Sequence, residues 1–189
     1  MEMIDQILWS EFRKGSKEAF QSLFREFYSP LYFYGVKFCN DKELTEEVLQ
    51  DFFIYLYNKS NSLSPVKHIK SYLLVSFRRM LLKRLEQKRG HLKKITNLEN
   101  CSSFCFNSDE LEDFQTFSSV KSTDLALMLN KLPERQKEVV YLKFYNNLKI
   151  SEIAEVMEIS TQSVSNTLQK AFSKLRNLIE NDKILSIFK

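Results

Sequence analysis

The chain has 189 residues, 43% of them hydrophobic, and a formal net charge of +4; this is enough apolar content for one ordinary core or two small ones, and it excludes a chain disordered throughout. Only 3 Gly and 3 Pro are present among long runs of Leu, Lys, Glu and Phe. That excludes a turn-rich β protein and predicts an all-α fold, while the modest positive charge permits nucleic acid as a partner without demanding it.

The amino terminus, Met1-Glu2-Met3-Ile4-Asp5, lacks the basic region and apolar run of a secretion signal. No apolar stretch is long enough to span a bilayer, so the expected location is cytoplasmic. The 3 cysteines are scattered and odd in number, which does not make a disulfide framework and suits a reducing compartment.

Residues 1–95 read as one basic, aromatic domain. Ser16 is placed to cap a helix whose Phe20, Leu23, Phe24 and Phe27 share a face, and Ser29-Pro30 is expected to interrupt it, with Pro30 opening a second helix carrying Leu31, Phe33, Tyr34 and Phe38. Asn40-Asp41 ends that helix and starts another, to about Asn58, with Leu44, Val48, Leu49, Phe52, Phe53 and Leu56 as its buried stripe. Its other face, Glu43, Glu46, Glu47, Gln50 and Asp51, reads on composition alone as solvated surface.

A polar loop, Lys59 to Pro65, follows. The next helix is expected over about Lys67–Gly90, with Ile69, Leu73, Leu74, Phe77, Leu81 and Leu85 inward. From Lys67 to Lys94 it sets Lys67, Lys70, Arg78, Arg79, Lys83, Arg84, Lys88, Arg89, Lys93 and Lys94 against the single acid Glu86. One-sided charge on an amphipathic helix is the footprint of a phosphate backbone, and Tyr55, Tyr57 and Tyr72 are suited to stacking on unpaired bases. A solubilising face or a membrane-surface helix would share that charge pattern.

Composition changes after Lys94. Residues 96–123 are rich in Ser and hold the acidic cluster Asp109, Glu110, Glu112 and Asp113, so they read as a linker, with a short helix possible over Asp109 to Phe117. Phe104, Phe106, Phe114 and Phe117 are unusual in a spacer; they imply seating either in a groove of a partner or against a flanking domain. Cys101 and Cys105, with His91 upstream, supply three zinc ligands where a structural site needs four, so no metal is expected.

Residues 124–189 read as a second helical domain. Asp124 is expected to cap a helix with Leu125, Leu127, Leu129 and Leu132, and Pro133 to open the next, whose apolar side is Val139, Val140, Leu142 and Phe144. Ile150, Ile153, Ala154 and Met157 then repeat at helical spacing, Ile159-Ser160 breaks the pattern, and Val164, Leu168, Ala171 and Leu175 restart it. This is a helix-turn-helix, with Ser160 or Thr161 as cap of the second helix. Subtracting the buried stripe leaves Gln162, Ser163, Ser165, Asn166, Gln169, Lys170 and Ser173, short polar side chains suited to base edges and phosphates in a major groove, or to the outside of an ordinary helical hairpin.

Together these features resemble the extracytoplasmic-function sigma factors, the small bacterial members of the sigma-70 family. In the first half the resemblance is carried by Glu18-Ala19-Phe20-Gln21-Ser22-Leu23-Phe24-Arg25-Glu26-Phe27-Tyr28, Pro30-Leu31-Tyr32, Glu46-Glu47-Val48-Leu49-Gln50-Asp51-Phe52-Phe53 and Ile69-Lys70-Ser71-Tyr72-Leu73. In the second it is carried by Leu132-Pro133-Glu134-Arg135-Gln136-Lys137-Glu138-Val139 and Ile150-Ser151-Glu152-Ile153-Ala154-Glu155.

The resemblance implies two small helical domains joined by a linker. Residues 1–95 would bind core RNA polymerase and melt the downstream promoter element, and residues 124–189 would read the upstream element on duplex DNA through Thr161, Gln162, Ser163, Ser165, Asn166, Gln169 and Lys170. It turns Glu47, Gln50 and Asp51 into a polymerase interface. It makes Asn58, Ser60, Asn61, Tyr72, Arg78, Arg79, Lys83 and Arg84 the contacts to the melted single strand, with a base flipped into the loop from Asn58 to Pro65. The acidic linker would lie in a polymerase channel, an anti-sigma factor is an expected partner, and neither cofactor nor catalysis is implied.

Two departures from the family pattern stand out. Glu158 occupies the helix-turn-helix turn where family members often carry Gly, at a cost of about 1 kcal/mol if the turn is left-handed. Ser165 and Thr167 replace basic residues early in the recognition helix, leaving Asn166 and Gln169 to favour adenine edges. A free-standing helix-turn-helix regulator would not need the acidic face or the base-capture loop, and a pure protein adaptor would leave the basic stretch unexplained.

Overall fold

A computed structural model describes residues 2–92, 104–106 and 122–187. It divides into two compact units, the first holding Met1–Cys101 and Glu155–Met157 and the second Ser102–Ala154 and Glu158–Lys189. The described residues are helical, with no strand among them, and none of these helices is long and apolar enough to cross a membrane. Lys93, Lys94, Cys101 and the acidic cluster Asp109 to Asp113, with its expected short helix, lie outside the described residues.

In the first unit α1 spans Glu2–Arg13, α2 Lys17–Cys39, α3 Lys42–Lys59 and α4 Ile69–Leu92, with a 3-10 turn at Ser60–Ser62. Ser16 caps α2 as expected, accepting the Ala19 N–H at 3.1 Å. The expected break at Ser29-Pro30 does not occur, because α2 runs on through Pro30. Proline inside a helix removes one hydrogen bond, here to the Glu26 carbonyl, and costs about 3 kcal/mol. The stripe Leu23, Phe27, Leu31, Tyr34 and Phe38 stays in phase across the proline and is buried throughout. Burying Leu31 and Phe38 alone returns roughly 1.5–3 kcal/mol each, so packing outweighs the missing bond.

The helix ends at Asn40, which adopts the left-handed conformation, and Asp41 then caps α3 by accepting the Leu44 N–H at 3.0 Å. The stripe of α3 and that of α4 are buried as the periodicity predicts. At Gly35 α2 packs closely, and an added Cβ would stand 2.5 Å from Thr45 Cγ2 and 3.1 Å from the Phe77 ring.

The second unit holds α5 Ser122–Asn130, α6 Glu134–Phe144, most of α7 Ile150–Met157 and α8 Thr161–Ile187. Helix α5 starts before Asp124, so that residue lies in the first turn rather than at the cap, still favourably placed against the helix dipole. Leu125, Met128, Leu129 and Leu132 are buried whereas Leu127 is exposed. Of the segment expected to be a linker, Phe104 and Phe106 are buried in this unit, their rings against Tyr141 at 5.2 and 6.4 Å. The Asn130 amide pairs with the Phe106 backbone in both directions, at 2.8 and 2.9 Å, and the Phe104 N–H donates to Glu134. Of the two placements open to these phenylalanines, docking on a flanking domain is the one found.

Candidate functional site

Three surfaces carry the side chains singled out by the sequence. The first is the outer face of α3. Because Leu44, Val48, Leu49, Phe52, Phe53 and Leu56 all point into the core, Glu47, Gln50 and Asp51 are left exposed on the opposite side. Arg84 of α4 reaches this face and donates from Nη2 to Glu47 Oε1 at 2.5 Å and to Asp51 Oδ2 at 3.1 Å. One turn further along, Lys88 donates to Asp41 Oδ2 at 2.7 Å. The sequence places Glu47 and Asp51 one turn apart on one face, but which α4 cation meets them is set by how two helices pack. The Glu47 and Asp51 carboxylates are exposed and Arg84 is partly so, and each of its pairs contributes at most about 1 kcal/mol.

The second surface is the loop between α3 and α4 with the adjoining part of α4. Asn58, Asn61 and Ser62 are exposed. Ser60 is not: it is 8% exposed, carried inward by the turn that it opens, and so is poorly placed to meet a base. Tyr72 is half-buried, its ring 5.2 Å from that of Trp9, and burial raises the pKa of its phenol. Arg78 lies 5.3 Å from the centre of the Phe38 ring, which supports its guanidinium by a cation–π contact. Arg79 and Lys83 are exposed.

Sequence reasoning missed α1, which bounds this loop. Its Trp9 and Phe12 are 2% and 1% exposed. Leu8, Trp9 and Phe12 do carry a helical spacing, but a single short stripe without a capping signal is weak evidence for a helix.

The third surface is the helix-turn-helix. Ser160 caps α8, its Oγ accepting the Ser163 N–H at 3.1 Å. Glu158 has φ of 54°, the left-handed turn conformation anticipated from its position, and the Ile159 N–H closes the end of α7 on the Ala154 carbonyl at 3.0 Å. Val164, Leu168 and Ala171 are buried, which turns Thr161, Gln162, Ser163, Asn166, Gln169 and Lys170 to the exposed side. Gln162 donates its amide to Asn166 Oδ1 at 3.0 Å. The Ser165 hydroxyl, half-buried, donates back to the Thr161 carbonyl at 3.1 Å, so it serves the helix more than the surface.

The residues of this third surface lie within 122–175, which match the family model for sigma-70, region 4. The chain is 23% identical over 173 residues to the ECF RNA polymerase sigma factor SigX of Bacillus subtilis, a match covering 87% of this chain and 85% of SigX. Residues 122–175 therefore carry region 4 of the sigma-70 family, and over most of its length the chain is similar to an extracytoplasmic-function sigma factor.

A second relative in this family, the RNA polymerase sigma factor SigV of Bacillus subtilis, is 39% identical over 56 residues, which take in 30% of this chain and only 34% of SigV. Among solved structures the chain is similar to the sigma factor RpoE in complex with the anti-sigma factor NepR from Bartonella quintana. The TM-score is 0.63 over 85% of this chain and 96% of that one, and at 14% identity this is a likeness of fold. Among the described residues no group of His, Cys, Asp or Glu side chains is assembled to hold a metal ion.

Proposed function

We propose that this protein is the promoter-specificity subunit of a bacterial RNA polymerase, acting in the cytoplasm and without catalysis of its own. The alignment with SigX, which runs through both units rather than the helix-turn-helix alone, is the observation that supports this most. In this reading residues 1–95 bind the polymerase core and open the downstream promoter element, 96–123 connect, and 124–189 read the upstream element as duplex.

The physical division of labour follows from the three surfaces. Glu47, Gln50 and Asp51 offer an acidic, hydrogen-bonding stripe to a basic protein surface. Asn58, Asn61 and Ser62 form the exposed rim of the loop that takes a base out of the stack, a step that itself costs a few kcal/mol. Arg78, Arg79 and Lys83 of α4 then hold the phosphates of the opened strand, whereas Arg84 does so only by leaving its carboxylate partners. On α8, the Gln162–Asn166 pair and Gln169 present amides that match adenine edges, and Lys170 meets a phosphate. An anti-sigma factor would hold the protein inactive by covering one of these surfaces.

The test is run-off transcription with purified core polymerase on a promoter pool. Wild type is expected to give core-dependent, promoter-selective transcripts. Asp51→Lys should lose association with core, while Asn166→Ala should keep core association and lose dependence on the upstream element. A wild-type chain that binds duplex DNA but never core polymerase would instead be a free-standing regulator.

A further inference from the structure

The loop that follows α3 is held from outside by α1, a helix distinct from the three surfaces proposed to meet polymerase and promoter. The Trp9 indole Nε1–H donates to the Ser64 carbonyl at 3.0 Å and the Arg13 guanidinium Nε–H donates to the Leu63 carbonyl at 2.5 Å, across sequence separations of 55 and 50 residues. These are two successive peptide carbonyls of a polar segment, directly after the exposed Asn61 and Ser62. Trp9 itself is fixed: it is 2% exposed, with the Tyr72 ring edge-on at 5.2 Å and the Phe12 ring at 5.3 Å. The Leu63 side chain is buried as well, so the backbone at 63 and 64 is pinned through both its side chain and its carbonyls.

Loops are ordinarily the mobile parts of a fold, and a loop that orders only on binding adds its lost backbone entropy to the cost of binding. A base already unstacked at a cost is discriminated well only if the groups that receive it are fixed in advance. We infer that Trp9 and Arg13 are positioning residues for base selection: they fix the loop backbone so that Asn61 and Ser62 meet the captured base in one geometry. This rests on the proposed capture of a base by that loop, and it predicts an effect confined to one promoter position.

The experiment uses the full chain with core polymerase on templates randomised over the melted segment, scoring at each position the ratio of transcript from the best and the worst base. Trp9→Phe keeps an aromatic ring in the core and removes the donor. Arg13→Met keeps the stem and removes the charge at a half-buried site, so at least one variant remains folded. Each is expected to lower the ratio at a single position by roughly two- to tenfold, the worth of one hydrogen bond, with other positions and the upstream element unchanged. Combined with Asn61→Ala, Trp9→Phe should add little further loss, because both act through the same contact.

A loss spread evenly over all positions, or effects of Trp9→Phe and Asn61→Ala that simply add, would mean that α1 serves stability only and would overturn the positioning role. A wild-type chain with no core-dependent transcript, or with no base preference in the melted segment, would remove the parent reading and this inference with it.

Discussion

Arg84 of α4 lies 3.1 Å from the Asp51 carboxylate of α3 and also reaches Glu47, so one cation of the helix proposed to hold DNA pairs with two carboxylates of the face proposed to bind polymerase. A protein partner that takes up these carboxylates must compete with it. Arg84→Ala is therefore expected to leave stability within about 1 kcal/mol of wild type, since the pairs are exposed. It should bind core polymerase as tightly as wild type or up to about fivefold more tightly, the same energy freed for the partner. Thermal melting and fluorescence anisotropy of the labelled chain against core polymerase check the two halves.

At Gly35, close packing leaves no room for a methyl group. Thr45 is fully buried, and its hydroxyl donates to the Asp41 carbonyl at 2.7 Å, so it cannot simply rotate away from a new Cβ. Gly35→Ala should cost about 1–3 kcal/mol through overpacking, partly offset by the better helix propensity of Ala. Adding Thr45→Ser, which deletes the clashing methyl, should restore most of the loss in a denaturation series; no rescue would mean the strain lies elsewhere.

The start of α3 carries a pH-dependent stabilisation. The hydrogen bond from Lys88, followed by that from the Leu44 N–H, holds the Asp41 carboxyl below its usual pKa. With the folded-state value below the unfolded one, the unfolded chain takes up the proton first as pH falls. The stabilisation is thus fully present above the ordinary Asp pKa of about 3.9 and is lost as pH falls through the lowered value. Asp41→Ala should cost about 0.5–2 kcal/mol near neutral pH as a lost cap. Asp41→Asn keeps a capping oxygen and should lose less, with a flatter acid limb in stability measured against pH.

Glu158 has a left-handed backbone conformation, with φ of 54°. Glu158→Gly removes the steric cost of that conformation but admits more freedom in the unfolded chain, so a net gain of up to about 1 kcal/mol is expected. The melting temperature should rise while recognition of the upstream element stays unchanged; a drop in stability would show that the Glu side chain supports the turn.

Much of this was legible in the sequence because it is local. The caps at Ser16, Asp41 and Ser160 and the stripes of α3 and α4 depend on residues within a turn or two of one another, and so does the strained position of Glu158. What escaped depends on partners far along the chain. Pro30 stays helical because a buried stripe continues on either side of it, and α1 is fixed by bonds to a loop some fifty residues away. Phe104 and Phe106 find their seat on Tyr141 and Asn130, and Ser60 is turned inward by a turn whose geometry no periodicity encodes. In the candidate sites the residue types were readable, but the pairing of Arg84 with Glu47 and Asp51 was not, because each lies on a different helix.

Whether this chain joins a polymerase or acts on DNA alone is decided by equilibrium binding of the labelled full chain to purified core polymerase, without DNA. Saturable binding is expected, abolished by Asp51→Lys and left intact by Asn166→Ala. Absence of binding by the wild type, together with tight binding to duplex DNA by the chain alone, would contradict this expectation.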